Sequence, residues 1–166
     1  MRGLPMTSRS QGLARLLAWL VAALSLAIIV ASLALQWAQT GSGRADPEDA
    51  AQVAAGREVY AAECASCHGA RLQGQPNWQR PLPNGRMPAP PHDRSGHTWH
   101  HPDSLLFAII RDGMVPPHAP PGYESDMPAF GDRLSDDRIW AVLAYIKSQW
   151  PQQVRDWQAE KTRQAR

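Results

Sequence analysis

The stretch Cys64-Ala65-Ser66-Cys67-His68 reads C-x-x-C-H. This is the attachment pattern of a c-type haem. Two cysteines three positions apart lie close together at a helical turn. From there each thiol reaches one vinyl group on the same porphyrin edge. The histidine directly after Cys67 is then placed to coordinate the iron through an imidazole nitrogen. One short segment thus holds the cofactor covalently at Cys64 and Cys67 and supplies an axial ligand in His68.

The rival readings of C-x-x-C are weaker. A structural zinc site needs four ligands, usually with a second Cys or His pair at short spacing. Cys64 and Cys67 are the only cysteines in the chain. A thioredoxin-like dithiol calls for a βαβ context, and no strand pattern surrounds this stretch. A plain disulfide gives no reason for His68 or Gly69.

The 166 residues allow one modest domain plus an extra segment. All 15 acidic residues lie after position 45, whereas Arg2, Arg9 and Arg15 precede it. The body is therefore near neutral, which argues against a nucleic-acid partner. The 15 Pro and 12 Gly predict a loop-rich body with a thin apolar core. A large apolar cofactor would help to fill it.

Residues 1–15 are short, polar and basic, an expected cytoplasmic N-terminus. An apolar run follows from Leu16 to Leu35, interrupted by Ser25 and Ser32. As a helix it spans about 30 Å, the thickness of a bilayer's hydrocarbon core. Trp37 stands where an interfacial aromatic is expected, and the preceding arginines orient the body to the periplasmic side. Residues 16–37 are therefore read as a transmembrane anchor. The rival is a cleaved signal peptide, whose apolar region is usually shorter. Ser32-Leu33-Ala34 would be its small-x-small site, but that lies inside the run. Both readings export the domain.

Residues 38–46 read as a Gly/Ser-containing linker. Asp46 as N-cap and Pro47 at the first position predict a helix from 47 to about Cys64. Gly56 in its interior suggests a helix crossing. From Gly69 to Pro102 the prolines predict an irregular loop. In it Pro76 or Pro81 would offer a carbonyl to the second ring nitrogen of His68. A short helix is expected from Pro102 or Asp103 to about Arg111, with Leu105, Leu106, Ile109 and Ile110 buried and Gly113 ending it. The next helix begins at Ser135 as N-cap. It buries Ile139, Val142, Leu143, Ile146 and Trp150, with Trp140 and Tyr145 beside them, and Pro151 stops it. Residues 152–166 read as a polar tail, solvated or frayed.

The sixth iron ligand is sought among the methionines. Met1 and Met6 lie on the wrong side of the expected membrane span. Met127 sits in Asp126-Met127-Pro128-Ala129-Phe130, where Pro128 holds it extended and stiffens the loop. A stiff loop holds a weak thioether ligand at little entropic cost. Met87 also precedes a proline and is the second choice. Met114, at a helix end, reads as core.

Cys64-Ala65-Ser66-Cys67-His68-Gly69, the Met127-Pro128-Ala129-Phe130 loop and the closing helix Leu134–Lys147 together resemble the class I c-type cytochromes, over about residues 47–151. The resemblance implies an all-α fold wrapped round one covalently bound haem c, preceded here by an N-terminal transmembrane helix. It also implies that the first and last helices of the domain cross, with Gly56 and Tyr60 against Val142 and Tyr145. The anchor, the long middle loop and the basic tail depart from a small soluble cytochrome.

His92, His97, His100 and His101 cluster in that middle loop, and His118 follows later. Imidazoles suit copper. One of them, or Trp78 or Trp99, would alternatively bond a haem propionate. The plainest reading is a solvated loop. A haem ligated by His68 and Met127 has no open position, and Met ligation raises the reduction potential. This points to a membrane-anchored carrier of single electrons between membrane or periplasmic redox proteins. Alternatives are a cytochrome subunit of a larger oxidoreductase complex, and a haem sensor or copper-handling protein using the histidine loop. No acid/base pair or nucleophile constellation marks an enzyme acting alone.

Overall fold

The computed structural model describes residues 8–40 and 44–165. Residues 1–7 and Gly41-Ser42-Gly43 lie outside the described residues, and so do the side chains of 8–11, 13 and 33–40, Trp37 included. The expectations placed on Met1, Met6, Arg2, Arg9 and Trp37 fall there. Two units are distinguished, residues 1–42 and 43–166.

The first unit contains α1, Ser8–Thr40. Its stretch Ala14–Ser32 is long and apolar enough to cross a membrane. The two serines in this run do not disturb it. Ser25 Oγ donates to the Val21 carbonyl at 2.9 Å and Ser32 Oγ to Ile28 at 2.7 Å. Each hydroxyl is satisfied one turn back along its own helix. Residues 38–40, expected in the linker, belong to α1.

The second unit is helical and loop-rich, with no strand among the described residues. Its first helix, α2 (Ala50–Val59), is capped by Asp49, whose carboxylate accepts from the Ala51 and Gln52 amides. The expected cap, Asp46, instead accepts from Glu48 N at 2.9 Å and closes a turn ahead of the helix. Both aspartates carry the local chemistry of a cap. The helix begins at the one that leaves residues 44–46 free to reach the core. Ala45 is buried there, Gln52 Nε2 donates to Arg44 O at 2.9 Å, and Asp46 N donates to Gln52 Oε1 at 2.7 Å. The end of the expected linker is thus part of the domain.

Beyond Val59 the helix widens into a π turn, Tyr60–Cys64, then resumes as α3, Ala65–His68. The remaining elements are a 3-10 turn at Thr98–His100, α4 (Asp103–Asp112), α5 (Asp136–Ser148) and α6 (Gln152–Gln164). Ser135 caps α5 through Arg138 N. Ile139, Val142, Leu143, Ile146 and Trp150 are all buried as the periodicity predicts, with Trp140 and Tyr145 packed at the edge.

The crossing of α2 and α5 organises this core. A Cβ placed on Gly56 would lie 1.9 Å from the Ala141 carbonyl oxygen and 3.0 Å from Tyr145 Cβ. Backbone therefore packs on backbone, which only glycine allows. One turn on, Tyr60 and Tyr145 meet with ring centroids 5.4 Å apart. On α4 the buried pair is Leu106 and Phe107, while Leu105, Ile109 and Ile110 are half-buried. The expected stripe omitted Phe107, which stacks on Trp140 of α5 at 4.4 Å.

The tail is not frayed. Its helix α6 docks through polar groups. Gln158 is fully buried and donates to Asp103 Oδ1 at 2.7 Å and His101 O at 3.1 Å. Thr162 Oγ1 accepts from Asp103 N at 3.0 Å. Asp103 also pairs with the buried Lys147 Nζ at 2.9 Å, and Lys147 donates to Ala45 O at 3.1 Å. One carboxylate joins α4, α5 and α6, and through Lys147 it also ties in residue 45.

Two substitutions test this framework by thermal or denaturant melting of the haem-loaded chain. Gly56→Ala drives a methyl into the Ala141 carbonyl and should destabilise by about 3 kcal/mol or more. Asp103→Ala strands the Lys147 cation and should cost about 3–5 kcal/mol.

Candidate haem site

The C-x-x-C-H segment sits where the π turn returns to α-helix. Ala65 N donates to Tyr60 O, one residue wider than an α turn. Such bulges concentrate at functional sites. Here the extra residue re-aims Cys64, Cys67 and His68 relative to the α2 face that packs on α5. Gly69, at φ 81°, ends the helix. Its carbonyl accepts from Tyr60 Oη at 2.9 Å, so the crossing and the motif are joined by one hydrogen bond. Burial pushes the Tyr60 hydroxyl pKa up, which keeps it a donor.

Cys64 and Cys67 are both free thiols, the first half-buried and the second exposed. Burial, reinforced by the charges of Glu63 and Cys67, pushes the Cys64 thiol up to about 11. His68 is buried, and its Nδ1–H donates to the Pro90 carbonyl at 2.8 Å. Burial lowers the His68 pKa against the opposing pull of that bond. The ring is thus neutral, with the proton on Nδ1 and the lone pair on Nε2, the form that binds a metal.

Pro90 was not among the expected carbonyl donors, Pro76 and Pro81. It is selected by a clamp. Pro91 holds Pro90 extended, which leaves its carbonyl outside any helix or turn. A Cβ on Gly74, at φ 66°, would lie 2.4 Å from Pro91 N. A Cβ on Gly96 would lie 2.0 Å from Pro91 O. The Pro90-Pro91 segment runs between these two bare backbones. Gly74 N in turn donates to His68 O at 2.8 Å, and Gln75 N to Ala89 O at 2.9 Å. The sequence signal was present as a Pro-Pro pair between glycines, but spacing alone does not pair residues 74 and 91.

The histidines of the loop face aromatic rings. His92 stacks on His68 with centroids 3.9 Å apart. His97 stacks on Trp78 at 5.5 Å, and His100 on Trp99 at 3.7 Å. His118 Nε2 lies 3.2 Å from Asp112. Among the described residues no group of three or more His, Cys, Asp or Glu side chains converges on a metal position.

Met127 is half-buried and packs against the same core cluster as Cys64. Its loop is tied down on both sides. Phe130 N donates to Ile110 O at 3.0 Å and Gly131 N to Arg111 O at 2.9 Å, which pins the loop to the end of α4. Arg86 pairs with Asp126 and, at 3.3 Å, with Glu124. This links the Met127 loop to the loop that carries Met87. Met87 and Met114 are also half-buried.

These residues fit a covalently held haem. The two free thiols and the single open imidazole nitrogen form the donor set of one attachment segment. A thioether lies in a restrained loop against the same core. Trp99 Nε1 is buried without a hydrogen-bond partner among the described residues. A buried N–H left unpaired is costly, and an anionic cofactor edge would satisfy it.

Residues 51–146 match the family described as cytochrome c oxidase, cbb3-type, subunit III. The chain belongs to that family. It is therefore a c-type cytochrome, an electron-carrying protein of a class that binds haem c. It is similar to a protein named gluconate 2-dehydrogenase cytochrome c subunit from Pantoea cypripedii, at 29% identity over 98 residues. That match covers 57% of this chain and 20% of the relative, so the chain spans about one fifth of its length. No solved structure matches the cytochrome significantly.

The clamp on Pro90 is testable through Gly74. Gly74→Ala should lower both the melting temperature and the share of cytochrome recovered with covalent haem. Gly85→Ala has a similar positive φ, 84°, but open space around the added methyl. It should cost no more than about 1–2 kcal/mol of backbone strain and leave haem recovery near native.

Proposed function

We propose that this cytochrome carries single electrons through one haem c, bound by thioether bonds at Cys64 and Cys67 and ligated by His68 and Met127. The observation that carries the reading is the hydrogen bond from His68 Nδ1–H to Pro90 O, 2.8 Å long. It commits the proton to one nitrogen and leaves Nε2 for the iron, directly beside two free thiols. Bound haem supplies one-electron chemistry at an iron that cycles between Fe(III) and Fe(II).

The chain's own residues do the rest. Pro90 fixes the ligand tautomer and raises its basicity. Met127, in the loop stiffened by Pro128 and pinned to α4, would supply the second iron ligand and would keep small ligands off the metal. Trp99 offers its buried N–H to a propionate. The length and composition of α1 support a membrane anchor, and the arginines at positions 2, 9 and 15 favour a haem domain on the periplasmic side. The domains are then a cytoplasmic N-terminus, the anchor, a short linker and the cytochrome domain with α6 docked onto it. Redox proteins of the membrane or periplasm are the partners. The relative's name, a cytochrome c subunit of a dehydrogenase, supports membership of a larger oxidoreductase complex as a second reading.

Optical spectroscopy of the full chain, made with a haem-ligation system, tests the ligand set. The ferric protein should show a sulfur-to-iron charge-transfer band. Met127→Ala should lose it, and its ferrous form should bind CO readily. Met87→Ala should keep the band. A band lost in Met87→Ala and kept in Met127→Ala would reverse the assignment.

A further inference from the structure

His68 is held at one point by Pro90. A hydrogen bond to a carbonyl has a broad angular preference, so that bond alone leaves the ring plane soft. The plane is supported by His92. The two imidazoles lie 3.9 Å apart at 24°. His92 is itself fastened at three atoms. Its amide donates to Leu72 O at 2.8 Å, its carbonyl accepts from Trp150 Nε1 at 2.7 Å, and its Nδ1 lies 2.9 Å from Thr98 Oγ1. Thr98 is buried and also reaches Pro91 O at 3.4 Å, which returns the tie to the Pro90 segment.

These anchors come from separate parts of the domain. Leu72 follows the C-x-x-C-H segment, Trp150 lies just past the end of α5, and Thr98 begins the 3-10 turn. An aliphatic side chain would fill such a position without needing a polar partner. The structure instead spends a buried hydroxyl on orienting an imidazole face to face with the ring that follows Cys67. Local rules broken in this way mark functional positions.

We propose that His92 is a positioning residue for the iron ligand: its stacked ring sets the plane of the His68 imidazole, and its polarity beside that ligand holds the reduction potential down. This rests on the reading of His68 as the iron ligand. The plane of an axial imidazole fixes how its orbitals meet those of the iron, so rotation of the plane shifts the g values of the ferric haem. A polar ring beside the ligand favours the more highly charged ferric state, and an apolar replacement favours the ferrous one.

The test uses the full chain with haem attached, as native protein, His92→Phe and His92→Leu. Electron paramagnetic resonance of the ferric state and the midpoint potential are measured on each. The phenylalanine ring keeps the stack without the polarity. His92→Phe should keep the native largest g value and raise the potential. His92→Leu should shift the g value and raise the potential. A haem-loaded His92→Leu with native g values and native potential would overturn the proposal. If the leucine variant fails to load, His92→Phe decides alone, and a shifted g value or an unchanged potential there counts against it. A native chain without covalent haem on a denaturing gel would instead overturn the haem reading itself, so the two failures are separable.

Discussion

The hydrogen bond from His68 Nδ1–H to the Pro90 carbonyl joins the C-x-x-C-H segment to the long middle loop of the cytochrome domain. One partner ends the helix that carries Cys64 and Cys67. The other lies 22 residues away in a loop without regular structure. The bond needs the Pro90 carbonyl to arrive at one place. Gly74 and Gly96 make room for it, and Pro91 makes it rigid. The same segment continues into His92, whose carbonyl is held by Trp150, two residues past the end of α5. A loop that looks irregular is therefore fixed within three residues both to the C-x-x-C-H segment, at Pro90, and to the residue that follows α5, at His92.

The helices supply the frame to which this loop is tied. Gly56 lets α2 and α5 touch at the backbone, and the π turn after Val59 takes up the change of direction that the attachment motif requires. In the last turn of α5, Lys147 forms a buried ion pair with Asp103, surrounded by Gln158, Thr162 and Ala45 O. A buried pair of this kind adds little net stability compared with apolar packing. What it adds is definition. Its groups are satisfied only when α4, α5, α6 and residue 45 are all in place.

The C-x-x-C-H spacing, the Ser135 cap and the buried face of α5 were legible in the sequence because each is a local pattern with one period or one spacing. The crossing at Gly56 was legible too, since a glycine inside a helix costs enough to need a reason. Other features were not. The cap at Asp49 rather than Asp46 depends on where Ala45 packs. Helix α6 carries little apolar surface beyond Val154 and Trp157, so its docking through Gln158 and Thr162 leaves no hydrophobic period. The choice of Pro90 over Pro76 and Pro81 is a long-range pairing that spacing does not encode. The orphaned N–H of Trp99 and the stack of His92 on His68 are properties of three-dimensional burial. Within the histidine cluster, a solvated loop was the plainest reading of the composition, whereas three of the rings are arranged against Trp78, Trp99 and His68.

One segment is proposed to hold the cofactor at both cysteines, Cys64 and Cys67. Peptide mapping by mass spectrometry under denaturing conditions, on the full chain made with a haem-ligation system and solubilised in detergent, tests it most directly. The account predicts one haem added to the single peptide that contains Cys64 and Cys67, with no free thiol remaining on either. A peptide recovered without haem, its cysteines reduced or joined in a disulfide, would contradict it.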